Sequence, residues 1–365
     1  MSANKKGGVA LKLNERKIKI LEAIINDYIA TAEPIGSRTI AKKYDLGISP
    51  ATIRNEMSDL EDLGYIEQVH TSSGRVPSQK GYRLYVDNFM KQKELTGDEI
   101  NFLKNAISLN VSRIEYLMEQ TAKALSMLTK YTTVVTEPKD KRASVKIKHI
   151  QLVPIDERAI AAVIVTDNKV IKNHIIRVSE VPEIDKLNEI SIFINSEIKG
   201  MSLDSFKNVN VAHLMEKYTL YQELIAKTIK AIVTTIQEEE DVHLYTSGVR
   251  NILGFPEFSN IEKAKNIFQA LEEKEMLITL LGTGSADDEQ RVQILIGGEN
   301  NLEELKDCSI VRANYKFNNS YGKIGVIGPT RMNYSQTVSV INEIVKTLDS
   351  AINSILDDKN GGSDG

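Results

Sequence analysis

Cysteine occurs once in these 365 residues, histidine five times, and no apolar run approaches the roughly 18 residues that a membrane-spanning helix requires. A lone Cys308 cannot close an intramolecular disulfide. Set in the apolar-flanked DCSIV, it reads as a small buried hydrophobe in a reducing compartment, not as a nucleophile. The histidines, at positions 70, 149, 174, 213 and 243, show no metal-ligand spacing with one another or with Cys308, so no metal and no cofactor is expected. LLGTGSADDE places Gly282 and Gly284 after an apolar run, but acids follow where a dinucleotide fingerprint needs a third glycine and an apolar helix. TSGVRNILGFPEF offers Ser247 and Arg250, yet Val249, Ile252 and Leu253 around them read as ordinary packing. The reading is therefore not that of an enzyme. The start, MSANKKGGVALKLNERK, lacks the apolar h-region of a signal peptide, and a cytoplasmic location is expected.

What is present is an ordinary globular composition, 41% hydrophobic and 26% charged, on a chain long enough for two or three domains. Its net charge of −4 is unevenly distributed. Residues 1–93 hold 15 Lys and Arg against 11 Asp and Glu, net +4, which leaves 31 against 39 in the remainder, net −8. That is the pattern of a polyanion-binding head on an acidic body.

The spacing predicts a helix capped by Asn14, with Ile18, Leu21, Ile25, Tyr28 and Ile29 on one stripe, ending before Pro34. A short second helix is expected in SRTIAKKYDL with Ser37 as its cap, and a third opens at Ser49-Pro50 and closes at Gly64. YIEQV and RVPS then flank HTSSG as a hairpin, and Ser78 starts a fourth helix. Beyond KQKELTGDE, a connecting helix is expected over 98–129. Strands follow in TTVVT, VKIKHIQLV, AIAAVIV and VIKNHIIRV, helical patterns return across 185–275, and strands resume at VQILIGG, SIVRANYKF and GKIGVIG before a last amphipathic helix. Strands on both sides of a helical block suggest an insertion into one α+β domain.

On the third helix, Ile53, Met57 and Leu60 must face the core, which turns Ala51, Asn55 and Ser58 outward. The small residues permit close approach to a major groove. Asn55 can pair bidentately with adenine, and Arg54 with guanine or phosphate. Ser49 and Thr52 are candidate phosphate contacts, and Ser37 and Arg38 on the second helix are further candidate DNA-binding residues. Ser72, Ser73, Gly74 and Arg75 form a small, basic wing tip, with Lys80 and Arg83 extending that side. Helix, turn, capped helix and immediate hairpin together make a winged helix-turn-helix, a candidate reader of double-stranded DNA.

The run PIGSRTIAKKYDLGISPATIRNEMSDLEDLGYIEQVHTSSGRVPSQKGYRLYVD, with IGPTRMNY near the end, closely resembles the HrcA family of bacterial heat-inducible transcription repressors, and the likeness covers essentially the whole chain. That resemblance implies an α+β plan. It has a winged-helix head (1–93), a GAF-like domain (94–182 and 241–357) and an inserted, mainly helical dimerising domain (183–240), while the polar, Gly-rich end, which lacks apolar residues to pack, is expected to be a disordered tail (358–365). It also implies repression of chaperone operons through an inverted-repeat operator, CIRCE, and control through the GroEL chaperonin. Within the insertion, the stripe of Leu220, Leu224, Ile225, Ile229, Ile232 and Val233 is the expected homodimer contact. Because a GAF-like domain can bind small molecules, a repressor controlled by a metabolite is the alternative.

Overall fold

The computed structural model describes residues 13–69, 74–108, 114–138, 144–167, 170–206, 218–282, 292–317 and 320–360. They fall into two compact units, Met1–Lys139 with Leu244–Gly365, and Asp140–His243. The fold is α+β, with a winged helix at its start.

Local signals place the first helices. α1 (Glu15–Thr31) begins where the Asn14 side chain accepts a hydrogen bond from the Lys17 amide at 2.9 Å, and it ends at Ala32 in a left-handed conformation. α2 (Ser37–Lys43) is capped by Gly36, not by Ser37. Ser37 is already the first helical residue, because the extended backbone needed at the cap falls on the glycine. α3 (Pro50–Asp62) has Ser49 as cap and Pro50 at its first position, where the missing amide hydrogen costs nothing. The wing is a minimal ladder, β1 (Ile66–Glu67) antiparallel to β2 (Val76–Pro77), to which the loop before α2 adds an Ile35–Arg75 bridge. α4 (Gln79–Asn88) follows from the Ser78 cap.

The expected 98–129 rod is two helices, α5 (Gly97–Ser108) and α6 (Ile114–Thr129), packed against each other through Leu103, Ile107 and Leu117. An amphipathic stripe is equally satisfied by a folded-back pair, which buries both stripes in one core. Behind them lies a five-stranded antiparallel sheet of β3 (Thr132–Thr136), β7 (Leu244–Ser247), β8 (Gln293–Ile296), β9 (Cys308–Phe317) and β10 (Ser320–Pro329), in the order β7-β3-β10-β9-β8. Its two faces have separate cores. Val135, Val311 and Val326 join the core that holds α5, α6 and α12 (Tyr334–Asn360), whereas Val134, Ile310 and Ile327 pack with α10 (Ile261–Glu272) and α11 (Lys274–Leu281). Alternation along each strand sends neighbouring residues to opposite layers. Cys308 is buried at the start of β9, where burial pushes its thiol up to about 12. The last helix continues through 358–360, which were expected in the tail, and 361–365 lie outside the described residues.

The second unit starts well before the insertion boundary expected at 183. β4 (Ile147–Asp156), β5 (Ala159–Thr166) and β6 (Ile171–Arg177) pair only with one another among the described residues, in the order β4-β5-β6. One face is covered by α7 (Ile184–Ile198) and α9 (Gln222–Glu240), with the short α8 (Leu203–Phe206) between them in the chain. Leu224, Ile225, Ile229 and Ile232 are buried in that core and Val233 packs against it, so the stripe expected to meet a second copy holds α9 on its own sheet. Only Leu220, 91% exposed, lies outside it. An edge strand's free backbone invites pairing. Here α7 occupies that of β4: the Asn195 amide bonds both the N–H and the carbonyl of Ile150, and Ser191 Oγ accepts from the Leu152 amide at 3.1 Å.

Candidate nucleic-acid interface

Burial of Ile53, Met57 and Leu60 sets the rotation of α3, and Ala51, Arg54, Asn55 and Ser58 stand exposed along the opposite face at i, i+3, i+4 and i+7. Among the described residues Arg54 and Asn55 have no intramolecular hydrogen bond or ion pair. Arg38, exposed on α2, likewise has no partner among the described residues, while Ser37 is half-buried beside it. Ser49 and Thr52, expected at phosphates, are engaged in the helix cap. Ser49 Oγ accepts from the Thr52 amide at 3.1 Å and lies 3.0 Å from its hydroxyl.

Acids on α3 would repel DNA, and two of them are turned aside. Lys17 of α1 reaches Glu56 at 2.7 Å and Asp59 at 2.9 Å, and its bonds to these carboxylates, Glu56 foremost, hold the ammonium above its ordinary pKa. Sequence pattern could not show this pairing, because it joins two helices 39 or more positions apart whose stripes are read separately. Arg16, 3.9 Å from Glu56, supplies the second cation that balances the flank facing α1, and the reading face keeps Arg54. Lys43 similarly pairs with the buried Asp27, tying α2 to α1.

The cations expected to serve the wing are otherwise occupied. Arg75 sits at the wing base, bonding Glu61 of α3 at 2.8 Å through Nε, and its backbone pairs with Ile35. Lys80 donates to the Leu63 carbonyl at 2.7 Å, where it meets the negative end of α3, and lies 4.7 Å from the Tyr65 ring centre. Arg83, expected to extend the wing side, faces the body instead, donating to Glu299 and to the Ile294 carbonyl at 2.6 Å, and along α4 to Asp87 at 3.1 Å. Ser72 and Ser73 lie outside the described residues. Gly74, read in the sequence only as a small residue of the wing tip, brings the wing against the loop before α2: a Cβ there would stand 2.7 Å from Pro34 Cβ and 2.8 Å from its carbonyl carbon.

The arrangement is an exposed polar helix face with one guanidinium and one carboxamide free to bond base edges, beside a braced two-stranded wing. That is the equipment of a groove-reading winged helix.

Comparisons with known proteins agree in register. A family model described as the winged helix-turn-helix transcription repressor HrcA, DNA-binding, matches residues 12–89, and that of the HrcA protein C terminal domain matches residues 115–338. The heat-inducible transcription repressor HrcA of Clostridium botulinum (strain Eklund 17B / Type B) is 43% identical over 346 residues, covering 94% of this chain and 99% of that protein. That of Ruminiclostridium cellulolyticum is 42% identical over 347 residues, with the same coverage of each. A hypothetical protein of known crystal structure shares the fold with a TM-score of 0.60 at 24% identity, covering 94% of this chain and 100% of that one. With both halves matched, and relatives aligned nearly end to end, the chain belongs to the HrcA family of heat-inducible transcription repressors and carries their winged-helix DNA-binding domain.

Proposed function

We propose that this repressor binds the inverted-repeat CIRCE operator of chaperone operons as a homodimer, and that the GroEL chaperonin controls how much of it is active. The observation that carries the DNA reading is the α3 face, where Arg54 and Asn55 are exposed and, among the described residues, unpaired, while the neighbouring acids Glu56 and Asp59 are paired with Arg16 and Lys17. The N-terminal half of a recognition helix enters the groove first, and both residues lie there.

Support for the dimer comes from a different surface than the α9 stripe. Among the described residues no element covers the second face of the β4-β5-β6 sheet. That face carries Val153, Ile171 and Ile175, the last 69% exposed, with Ala161, Val163 and Val165 of the central strand between them and the polar His149, Gln151 and Asn173 interspersed. An open apolar sheet face in a folded unit is the usual mark of an interaction site. A second copy is the occupant we assign, because a twofold pair of heads matches an inverted repeat and makes the second half-site contact intramolecular. The chaperonin rests on the family resemblance.

Footprinting on the organism's chaperone promoters tests the reading. Protection of both arms of an inverted repeat, with an active fraction that rises when GroEL and ATP are supplied during refolding, is the expected result. Protection that instead follows a small metabolite, with no response to the chaperonin, would replace it with the metabolite-controlled alternative.

A further inference from the structure

The IGPTRMNY run, residues 327–334, and the Gly297–Asn300 turn lie far from α3, yet they meet the winged helix. Arg331 donates to the Ile29 carbonyl at 3.1 Å, in the last turn of α1, while Glu257 pairs with its guanidinium and the Phe255 ring lies 5.5 Å beneath it. A cation on the carbonyl end of a helix also meets the negative end of its dipole. Tyr334 packs against Tyr82 of α4 with ring centres 5.9 Å apart. At the rim, Gln79 of α4 accepts from the Gly298 amide at 3.1 Å and donates to the Lys306 carbonyl at 3.4 Å. Arg83 holds Glu299 and the Ile294 carbonyl. Gly297, at φ +55°, lets the turn close directly under Gln79, where any Cβ would overlap the side-chain amide. The bonds of Arg331 to Ile29, of Gln79 and of Arg83, with the Tyr334–Tyr82 ring contact, join the head to the body, and none covers the exposed face of α3.

The contact has an apolar centre continuous with the core of the body. Its periphery is ionic and half-exposed, which contributes orientation more than stability. At its centre the Tyr82 hydroxyl is buried with no hydrogen-bond partner among the described residues, a desolvation cost borne by the docked state.

We propose that the TRMNY segment and the Gly297–Asn300 turn form a seat that holds the winged helix in one orientation on the body, and that this seat sets the half-site separation the repressor accepts. The inference rests on the reading of the chain as a dimeric operator binder. Dimerisation alone only tethers two heads. A tethered pair on loose joints tolerates many spacings, whereas a pair on rigid seats tolerates few. Arg83 is then a positioning residue whose partner is Glu299, not a phosphate.

The experiment uses full-length protein and a half-site selected by the wild type from randomised duplexes, arranged as inverted repeats with spacers varied one base pair at a time. Hydrogen exchange of the α4 amides reports the seat. Wild type should show a sharp spacing optimum, falling tenfold or more one base pair away. Gln79→Ala combined with Glu299→Ala should expose α4 to faster exchange, keep single half-site affinity within twofold and flatten the spacing dependence below threefold. Arg83→Glu alone should do the same, and adding Glu299→Arg should restore the optimum, which a phosphate-contacting Arg83 would not allow. Tyr82→Phe, which removes the unpaired hydroxyl, should slow exchange and keep or sharpen the optimum. Unchanged spacing dependence in the double alanine variant overturns the seat, whether or not α4 exchange has risen. A wild type that binds no inverted repeat better than a single half-site overturns the operator reading beneath it, and the two failures are distinguished by which protein shows them.

Discussion

Arg54 and Arg75 lie 21 positions apart in the same winged helix and should behave differently when truncated. Arg54 and Asn55 have no structural duty. Arg54→Ala or Asn55→Ala should leave the denaturant midpoint unchanged and each cost about 1–3 kcal/mol of operator affinity, with specificity relaxed at one base position. A gel-shift series in which both variants discriminate operator from random duplex as well as wild type would remove α3 from the role of reader. Arg75→Ala instead breaks the Glu61 bond that braces the wing, so it should weaken binding to every sequence and show a small loss of stability besides. Gly74→Ala forces a methyl into the Pro34 backbone and should destabilise the head by about 1–3 kcal/mol, as overpacking does, with the wing displaced. Residues whose roles are local were legible in the sequence. The Asn14, Ser49 and Ser78 caps and the core stripe of α3 follow from neighbours within four positions. Lys17, Arg83 and Gly74 were not, since their partners lie at 56 and 59, at 299 and at 34, and no periodicity links such distances.

A stripe of apolar residues states that a helix has a buried side without naming what buries it, and α9 shows the consequence. Ile229 and Ile175 carry opposite expectations for the same change. Ile229→Asp places a charge in the core under the β4-β5-β6 sheet and should unfold the second unit, at a cost on the order of 3–5 kcal/mol. Ile175→Asp lies on the open face and should keep the circular-dichroism spectrum and melting point while shifting sedimentation from dimer to monomer. A folded dimer from Ile175→Asp would exclude that face. The strands with strong alternation were legible, but β7 was not. It is four residues long, and its identity as a strand comes from pairing with β3, more than a hundred positions earlier. The same non-locality hid which sheet β4, β5 and β6 join, because alternation reveals that a segment is a strand and not whose neighbour it is.

At the scale of the chain, the net charge of +4 in the first 93 residues and −8 in the remainder makes one end the DNA-binding end and gives affinity a steep, salt-dependent electrostatic part. The head is not a separable bead, because its core residues continue without a break into those of α5, α6 and α12. Cutting after residue 93 would expose Tyr82 and Tyr85, so removal of the second unit is the better dissection. The β3–β7 ladder ends at the pair Thr136↔Leu244, which places the two ends of the intervening segment on adjacent strands. Topologically β3 and β7 are a hairpin whose loop is a folded domain, and replacing residues 140–243 with a short turn should leave a soluble monomer that binds single half-sites only. Retained dimers would locate the self-contact elsewhere. While the inserted unit is folded, it holds that long loop closed; if it melts, the β3–β7 pairing must bear a closure entropy of about 4 kcal/mol by itself. The insertion therefore acts as a thermal clasp on the sheet edge. Amide exchange at Leu244–Ser247 should rise in step with its unfolding, and should lose that temperature step once the clasp is replaced by a turn.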